Sequence, residues 1–259
     1  MNRGILFDLD GVLYNSDRLI PGAPEAVTWV KSQAIPHLFV TNTTSRSRGV
    51  LVEKLRSFGI PADEDDLMTP AVAAADWLRS NGDGPIALFL RPSTQRDFDG
   101  LPCLPDDAES GASYVVIGDL GSQWDYATLN RAFRLLHQNP EAKLIALGMT
   151  RYWLAADGIS LDVAPFVAAL EHATGRTPMV FGKPAAAFFD AAARKLGLPA
   201  GEIVMIGDDI AADIGGAMKA GLKGALVKTG KFRESDLSGE VKPDAILESV
   251  ADLPRWWRA

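Results

Sequence analysis

Closely spaced carboxylates are the residues of this chain best suited to chemistry. Asp8 and Asp10 stand two residues apart and are followed by Gly11, so both carboxylates could face one side of an extended segment. One carboxylate could attack an electrophile while the other handles a proton. The alternative is a strand-end turn, since Asp-Gly is a common turn pair.

A second acidic group is Gly207-Asp208-Asp209, with Asp213 one helical turn further on. Carboxylates this close repel one another unless a cation or a basic group compensates. Oxygen ligands without His or Cys are those that Mg²⁺ prefers, so the cluster predicts a magnesium site. The alternative is a polar helix N-terminus, where acidic side chains favour the helix dipole.

Two further groups could hold an anion. Thr41, Asn42 and Thr43 follow an apolar run, and their hydroxyl, amide and backbone donors could bind a phosphoryl oxygen. Lys183, within Gly182-Lys183-Pro184, could neutralise the charge of such a group. Taken singly, the first group is more typical of a helix cap and the second of a surface loop.

Apolar runs and helical periodicity predict the elements that position these groups. Strands are expected at 4–9, 36–40, 86–90, 114–117, 144–147, 203–206 and 225–227. Helices are expected at 24–34, from Ser45 or Ser47 to Gly59, from Thr69 onward, and at 124–138, 163–174, 185–196 and 210–220. This alternation predicts a parallel sheet with right-handed crossovers, whose strand carboxyl ends hold the ligand.

A breaker cluster, Gly82-Asp83-Gly84-Pro85, divides the chain. Residues 1–79 and 179–259 are predicted to form an α/β core, and residues 80–178 a second α/β unit inserted into it. The tail carries Trp256-Trp257, which we interpret as the packed end of a terminal helix; a contact with a partner is the lesser alternative.

Composition excludes several classes of protein. The net charge is −7, from 26 basic and 33 acidic residues, which disfavours a nucleic-acid partner. A single cysteine, Cys103, allows no disulfide within the chain, and the three histidines show no zinc-ligand spacing. No apolar run reaches the ~18 residues of a membrane helix, and no signal peptide is recognisable, so a soluble, cytoplasmic protein without a membrane partner is expected.

The four groups together resemble the haloacid dehalogenase superfamily of phosphatases over essentially the whole chain. They come in the order Asp-x-Asp, Thr-Asn, Lys and Asp-Asp-x-x-x-Asp, and the long insert between Asn42 and Lys183 is similar to the large α/β cap of class IIA. The resemblance narrows to the branch that contains phospholysine phosphohistidine inorganic pyrophosphate phosphatase. The stretches that carry it are Gly-Val-Leu-Tyr (11–14), Arg-Tyr-Trp (151–153), Gly-Lys-Pro (182–184) and Gly-Asp-Asp-Ile (207–210). Animal members of that branch carry serine where this chain has Asp10, so the Asp-x-Asp pair here resembles an ordinary phosphatase.

The resemblance implies a Rossmann-like core with an inserted cap domain and a role for each group. Asp8 would be the nucleophile that forms an aspartyl-phosphate, and Asp10 the acid and base. Mg²⁺ would be held by Asp8, the backbone carbonyl of Asp10, and Asp208. Thr41, Asn42, Thr43 and Lys183 would bind the phosphoryl group. Asp209 would act through a bound water or orient its neighbours, and Asp213 would brace Lys183. Lys183 could equally be a purely structural counter-ion.

The substrate implied is a small phosphorylated metabolite, pyrophosphate or a phosphoramidate. Arg151, with Tyr152, could bind its leaving group; the alternative is an aromatic packing pair with a solvated arginine. A homodimer formed through the cap is a further expectation. Two other functions stay open: a phosphoacceptor signalling module without turnover, and a hydrolase of another haloacid dehalogenase type, such as a true dehalogenase.

Overall fold

Alternating strands and helices form two units in the computed structural model, which describes residues 3–155 and 158–258. The first unit comprises the chain up to Thr41, Arg48–Met68, and the chain from Lys183 on. The second comprises Asn42–Ser47 and Thr69–Gly182. No helix in the described ranges is both long enough and apolar enough to cross a membrane.

The strands are short, and most are buried. In chain order they are β1 (Gly4–Asp8), β2 (Tyr14–Asn15), β3 (Arg18–Leu19), β4 (His37–Val40), β5 (Leu67–Met68), β6 (Ile86–Phe89), β7 (Tyr114–Ile117), β8 (Lys143–Ala146), β9 (Tyr152–Ala155), β10 (Gly158–Leu161), β11 (Met179–Val180), β12 (Ile203–Gly207), β13 (Lys223–Val227) and β14 (Ala245–Leu247).

The helices connect these strands. They are α1 (Ala23–Ser32), α2 (Arg48–Ser57), α3 (Pro70–Asn81), α4 (Pro92–Gln95), α5 (Tyr126–Gln138), α6 (Val163–Thr174), α7 (Ala186–Leu196), α8 (Gly216–Lys219) and α9 (Leu253–Arg258). A π-helix, Ile210–Gly215, leads into α8. Single 3₁₀ turns occupy Glu64–Asp66, Arg96–Phe98, Gly121–Gln123, Ala200–Glu202, Glu234–Ser238 and Val250–Asp252.

The first unit is built on a six-stranded parallel sheet in the order β14-β13-β12-β1-β4-β5. The central strand β1 is buried at every position because it has a neighbour on each side and helices over its faces. Its register pairs Phe7 with Ile206 of β12 and Asp8 with Val40 of β4. The carboxyl ends of β12, β1 and β4 therefore meet at one edge.

The second unit has its own four-stranded parallel sheet, in the order β11-β8-β7-β6, and its own apolar core. A separate antiparallel hairpin, β9-β10, also belongs to this unit. Helix α3 is part of it because Trp77 packs against Tyr114 and Phe181, with ring centres 6.2 and 5.8 Å apart. The boundaries expected at 80 and 178 therefore lie within the second unit.

The parallel α/β class predicted from the sequence is confirmed, and the long elements lie close to where the periodicity put them. Strands β5, β11 and β14 had no prediction, since runs of two or three residues carry no periodic signal. The helix expected at 210–220 begins instead as a π-helix, in which Asp209 caps the backbone N–H groups of Ala211 and Ala212. Trp256 and Trp257 are partly buried against the core of the first unit, at the end of α9.

Candidate active site

Asp8 and Lys183 lie at the carboxyl edge of the first sheet. Asp8 ends the buried strand β1, and its Oδ1 is 2.6 Å from the ammonium nitrogen of Lys183. The same nitrogen is 2.6 Å from Oδ1 of Asp213, which is carried by the π-helix after β12. All three side chains are buried, so one lysine bridges two carboxylates that water barely reaches.

The electrostatics of this trio are set by burial and crowding. Burial, the largest effect, and the charge of Asp213 together raise the pKa of Asp8 to about 7, against the opposing effect of Lys183. Burial disfavours the ammonium of Lys183, but Asp213 and Asp8 outweigh it and raise the pKa of that group. Lys183 is therefore a cation at neutral pH, while burial and the neighbouring carboxylates disfavour the ionised form of Asp8.

Asp208 brings a third carboxylate to the same place. One oxygen each of Asp8, Asp208 and Asp213 can be chosen so that all three atoms lie within 4.8 Å of one another. Oδ2 of Asp208 accepts a hydrogen bond of 2.7 Å from the backbone N–H of Lys231. Its Oδ1 is buried and accepts none from the described residues, and burial raises the pKa of this carboxyl to about 6.

This donor set fits a divalent cation. Among the described residues, three carboxylates face a single buried ammonium, so a further positive charge would lower their mutual repulsion. The ligand atoms are hard oxygens, as Mg²⁺ requires, and Oδ1 of Asp208 is a buried acceptor that a cation would satisfy.

Asp10 is placed differently from Asp8. Its side chain is exposed, and its Oδ1 accepts a 3.3 Å hydrogen bond from the backbone N–H of Ser16. Gly11 follows with φ +93°, and a Cβ there would lie 2.0 Å from Oδ2 of Asp208. Only glycine fits this turn, and the Asp10 carboxyl before it lies at the surface. The backbone carbonyl of Asp10 as a metal ligand stays a prediction.

Asp209 is held by other contacts. Its Oδ1 accepts from the N–H groups of Ala211 and Ala212, at 3.0 and 2.9 Å, and its Oδ2 lies 3.3 Å from the ammonium of Lys231. Burial raises its pKa, but the Ala212 N–H and the charge of Lys231 outweigh burial and lower it. Asp209 is thus a helix cap and an ion-pair partner.

The predicted phosphoryl-binding residues follow β4. Thr41 is buried and belongs to the first unit, at the same strand edge as Asp8. Asn42 and Thr43 lie in the short segment 42–47 that is assigned to the second unit. In that unit the Thr44 carbonyl accepts a 3.1 Å hydrogen bond from the Thr94 hydroxyl. A Cβ at Gly182 would lie 3.3 Å from Oδ1 of Asn42.

Arg151 and Tyr152 lie in the second unit, where both are exposed. The guanidinium carbon of Arg151 is 6.0 Å from the centre of the Tyr152 ring. Arg91 and Asp119 were not singled out in the sequence, although each lies just past an apolar strand of the second sheet. Their side chains pair at 3.2 Å, with Asp119 buried and its other oxygen bonded to the Gly121 N–H.

The loop Thr229-Gly230-Lys231, which follows β13, was also missed in the sequence. It reaches Gly11 through the Thr229 hydroxyl and reaches Asp208 and Asp209 through Lys231. The available signal was its position after a predicted strand, since polar residues at that end of a parallel strand tend to line the site.

Comparison with known proteins identifies the family. A model of the haloacid dehalogenase-like hydrolases matches residues 5–101, and a HAD-hydrolase-like model matches residues 180–253. Human phospholysine phosphohistidine inorganic pyrophosphate phosphatase is 38% identical over 255 residues, which is 96% of this chain and 92% of that protein. Human haloacid dehalogenase-like hydrolase domain-containing protein 2 is 40% identical over 234 residues, covering 90% and 87% of the two chains.

A solved structure agrees with these relatives. The p-nitrophenyl phosphatase from Archaeoglobus fulgidus is 28% identical and superposes with a TM-score of 0.87, covering 98% of this chain and 99% of that one. The chain therefore belongs to the haloacid dehalogenase-like hydrolases, as a phosphatase of class IIA, which confirms the family predicted from the sequence.

Replacing Lys183 tests the buried trio. In Lys183→Met, Asp8 and Asp213 would face each other without the ammonium, and breaking a buried ion pair by removing one partner costs roughly 3–5 kcal/mol. Urea unfolding in EDTA should show that loss, and Lys183→Met/Asp213→Asn should recover part of it. The exposed pair Lys228–Glu248 offers the control, since Lys228→Met should barely move the midpoint. Equal midpoints for Lys183→Met and the wild type would mean that the trio does not stabilise the fold.

Proposed function

We propose that this phosphatase is Mg²⁺-dependent and hydrolyses a small phosphorylated metabolite, pyrophosphate or a phosphoramidate through an aspartyl-phosphate intermediate. One observation carries the proposal. A buried carboxylate, Asp8, ends the central strand within 2.6 Å of a buried lysine and beside two further carboxylates. Such a site unites a nucleophile, a fixed positive charge and an oxygen-only cation site.

In the first step an oxygen of Asp8 attacks phosphorus while the bond to the leaving group breaks. Asp10, exposed to solvent, gives the leaving atom its proton. In the second step Asp10 takes a proton from a water molecule, which attacks the same phosphorus and breaks its bond to Asp8. Inorganic phosphate then departs, and both carboxyl groups return to their starting states.

Lys183 and Thr41 are the residues of the first unit that we assign to the phosphoryl oxygens, together with Asn42 and Thr43 of segment 42–47. A fixed ammonium at this place stabilises the negative charge that spreads over the transferring group. Asp8, Asp208 and the Asp10 carbonyl would hold Mg²⁺, which when bound lowers the repulsion between carboxylate and phosphate. Asp8, whose pKa burial and Asp213 raise to about 7, would be held in its ionised form by a cation bound there.

The relatives narrow the substrate class. One is named for phospholysine, phosphohistidine and inorganic pyrophosphate, and another for p-nitrophenyl phosphate. We assign discrimination among leaving groups to the second unit, whose role as a cap stays a prediction. Exposed apolar side chains in and before the hairpin β9-β10 support the expected homodimer through this unit; they are Met149, Tyr152, Trp153, Ile159 and Leu161. A cytoplasmic location also stays an expectation from the sequence.

Metal removal is the first test. Phosphate release from p-nitrophenyl phosphate, pyrophosphate, sugar phosphates and phosphoramidates should fall to background in EDTA and return when Mg²⁺ is added in excess. The reason is that, in the part of the chain that the structure describes, one buried lysine balances the three carboxylates of Asp8, Asp208 and Asp213. Undiminished turnover in EDTA would contradict the proposal, and a single turnover without steady release would favour a phosphoacceptor module.

The two acids should differ in their kinetic effects. Asp8→Asn removes the nucleophile and should lower kcat by more than ~10³, since losing a key catalytic member costs at least that much. Asp10→Asn should slow both steps, most strongly for poor leaving groups that need the proton. Asp17→Asn, an exposed carboxylate of the same region, is the control and should leave kcat unchanged. Near-normal turnover by Asp8→Asn would show that the nucleophile is another group.

Arg151 tests the origin of specificity. If its guanidinium pairs with a second anionic group, Arg151→Ala should lower kcat/KM for pyrophosphate about 10-fold, which corresponds to ~1.4 kcal/mol. The same variant should barely affect p-nitrophenyl phosphate, whose leaving group has no second phosphate. Arg134→Ala, an exposed arginine of the same unit paired with Glu109, is the control. Equal losses for both substrates would show that Arg151 does not bind the second anionic group. Arg91, which pairs with Asp119, would then be the next candidate for that role.

A further inference from the structure

The loop Thr229-Gly230-Lys231 connects the two acidic segments of the first unit. The Thr229 hydroxyl donates a hydrogen bond to the backbone carbonyl of Gly11, just after the Asp8–Asp10 pair. Two residues on, the backbone N–H of Lys231 donates to Oδ2 of Asp208 at 2.7 Å. One short loop thus fixes the turn after the nucleophile and one oxygen of the carboxylate across from it.

The loop also fits too closely around Asp208 for any side chain at its centre. Gly230 has φ +63°, and a Cβ there would lie 2.1 Å from Oδ2 of Asp208 and 2.6 Å from Cα of Gly11. A Cβ at Gly11 would lie 2.0 Å from the same oxygen. The carboxylate of Asp208 is therefore enclosed between two glycines, and its orientation is set by backbone atoms.

The two oxygens of Asp208 have different environments as a result. Oδ2 is occupied by the Lys231 N–H, whereas Oδ1 is buried and has no hydrogen-bond partner among the described residues. Oδ1 is thus the Asp208 oxygen that the loop leaves open, and Asp8 and Asp213 each offer an oxygen within 4.8 Å of an oxygen of this carboxylate. With Oδ2 hydrogen-bonded and Oδ1 without a partner among the described residues, the Asp208 carboxylate is oriented to bind a cation through one oxygen.

We infer that the loop 229–231 is a positioning element for the cation site: it clamps Oδ2 of Asp208 so that Oδ1 alone faces the ion. This inference rests on the proposed function, since it names residues that support the Mg²⁺ site. Thr229, Gly230 and Lys231 touch neither phosphorus nor the leaving group in this scheme. They act through Asp208 and Gly11, as the residues that support metal ligands commonly do.

Magnesium affinity, measured without substrate, tests the inference. The full-length protein is stripped with EDTA, dialysed and titrated with MgCl₂ by isothermal titration calorimetry. Gly230→Ala and Thr229→Val should each raise the Kd for Mg²⁺ by about 10- to 100-fold, the usual effect of losing a residue that orients a metal ligand. Thr229→Ser keeps the hydroxyl and should stay within about threefold of the wild type on the same grounds.

A matched control and a ligand variant separate the possible outcomes. Lys228→Ala removes an exposed charge one residue before the loop, where Lys228 pairs with Glu248, and should leave the Kd unchanged. Asp208→Asn should abolish binding. If the wild type binds no Mg²⁺, the proposed function fails. If the wild type binds and Asp208→Asn does not, but Thr229→Val binds like the wild type with a native circular dichroism spectrum, the loop inference alone is overturned.

Discussion

The ion pairs of Lys183 with Asp8 and Asp213 are the interaction on which the rest of the structure depends. Removing three charged groups from water is costly, and only close mutual contacts recover that cost. The contacts exist because strand β1 ends at Asp8, β12 leads into the helix that carries Asp213, and the two strands are neighbours in parallel register. Lys183 stands where the chain re-enters the first unit, so a distant segment is fixed against the central strand by charge.

The trio leaves an electrostatic imbalance in the first unit. Adding Asp208 brings three carboxylates together around one ammonium, and burial raises the pKa of Asp8 to about 7 and that of Asp208 to about 6. A site with this balance fits a cation, and a bound cation would favour the ionised form of Asp8, the proposed nucleophile. Lys183 holds Asp8 and Asp213 by ion pairs, while the excess of carboxylates over cations is the feature on which the proposed chemistry rests.

Much of this arrangement could be predicted from the sequence, for a definite reason. Asp8, Thr41 and Asp208 each stand at or just past the end of a clearly apolar strand, and adjacent parallel strands bring such positions to one edge. The bounds of the second unit could not be read in the same way. The apolar pattern of helix α3 is compatible with packing in either unit. The helix belongs to the second unit because Trp77 packs on Tyr114 and Phe181, and this contact cannot be predicted from the pattern. The strand β11 is two residues long and too short to leave a pattern.

The loop 229–231 was missed for a deeper reason. Asp208 is recognisable in the sequence as a ligand candidate because its side chain is a carboxylate. What orients Asp208 is a backbone N–H, a hydroxyl bonded to a carbonyl, and the missing side chains of Gly11 and Gly230. None of these has a spacing rule, since Lys-Thr-Gly-Lys is equally typical of an exposed turn. Candidate ligands can be recognised in the sequence because their side chains carry the ligand atoms. The residues that orient those ligands do so through backbone hydrogen bonds and through the absence of a Cβ, and the sequence does not mark either. Nothing in the sequence marks Gly230 as special. In the structure, however, no other residue fits at this position, because a Cβ would collide with Asp208 and with the backbone of Gly11.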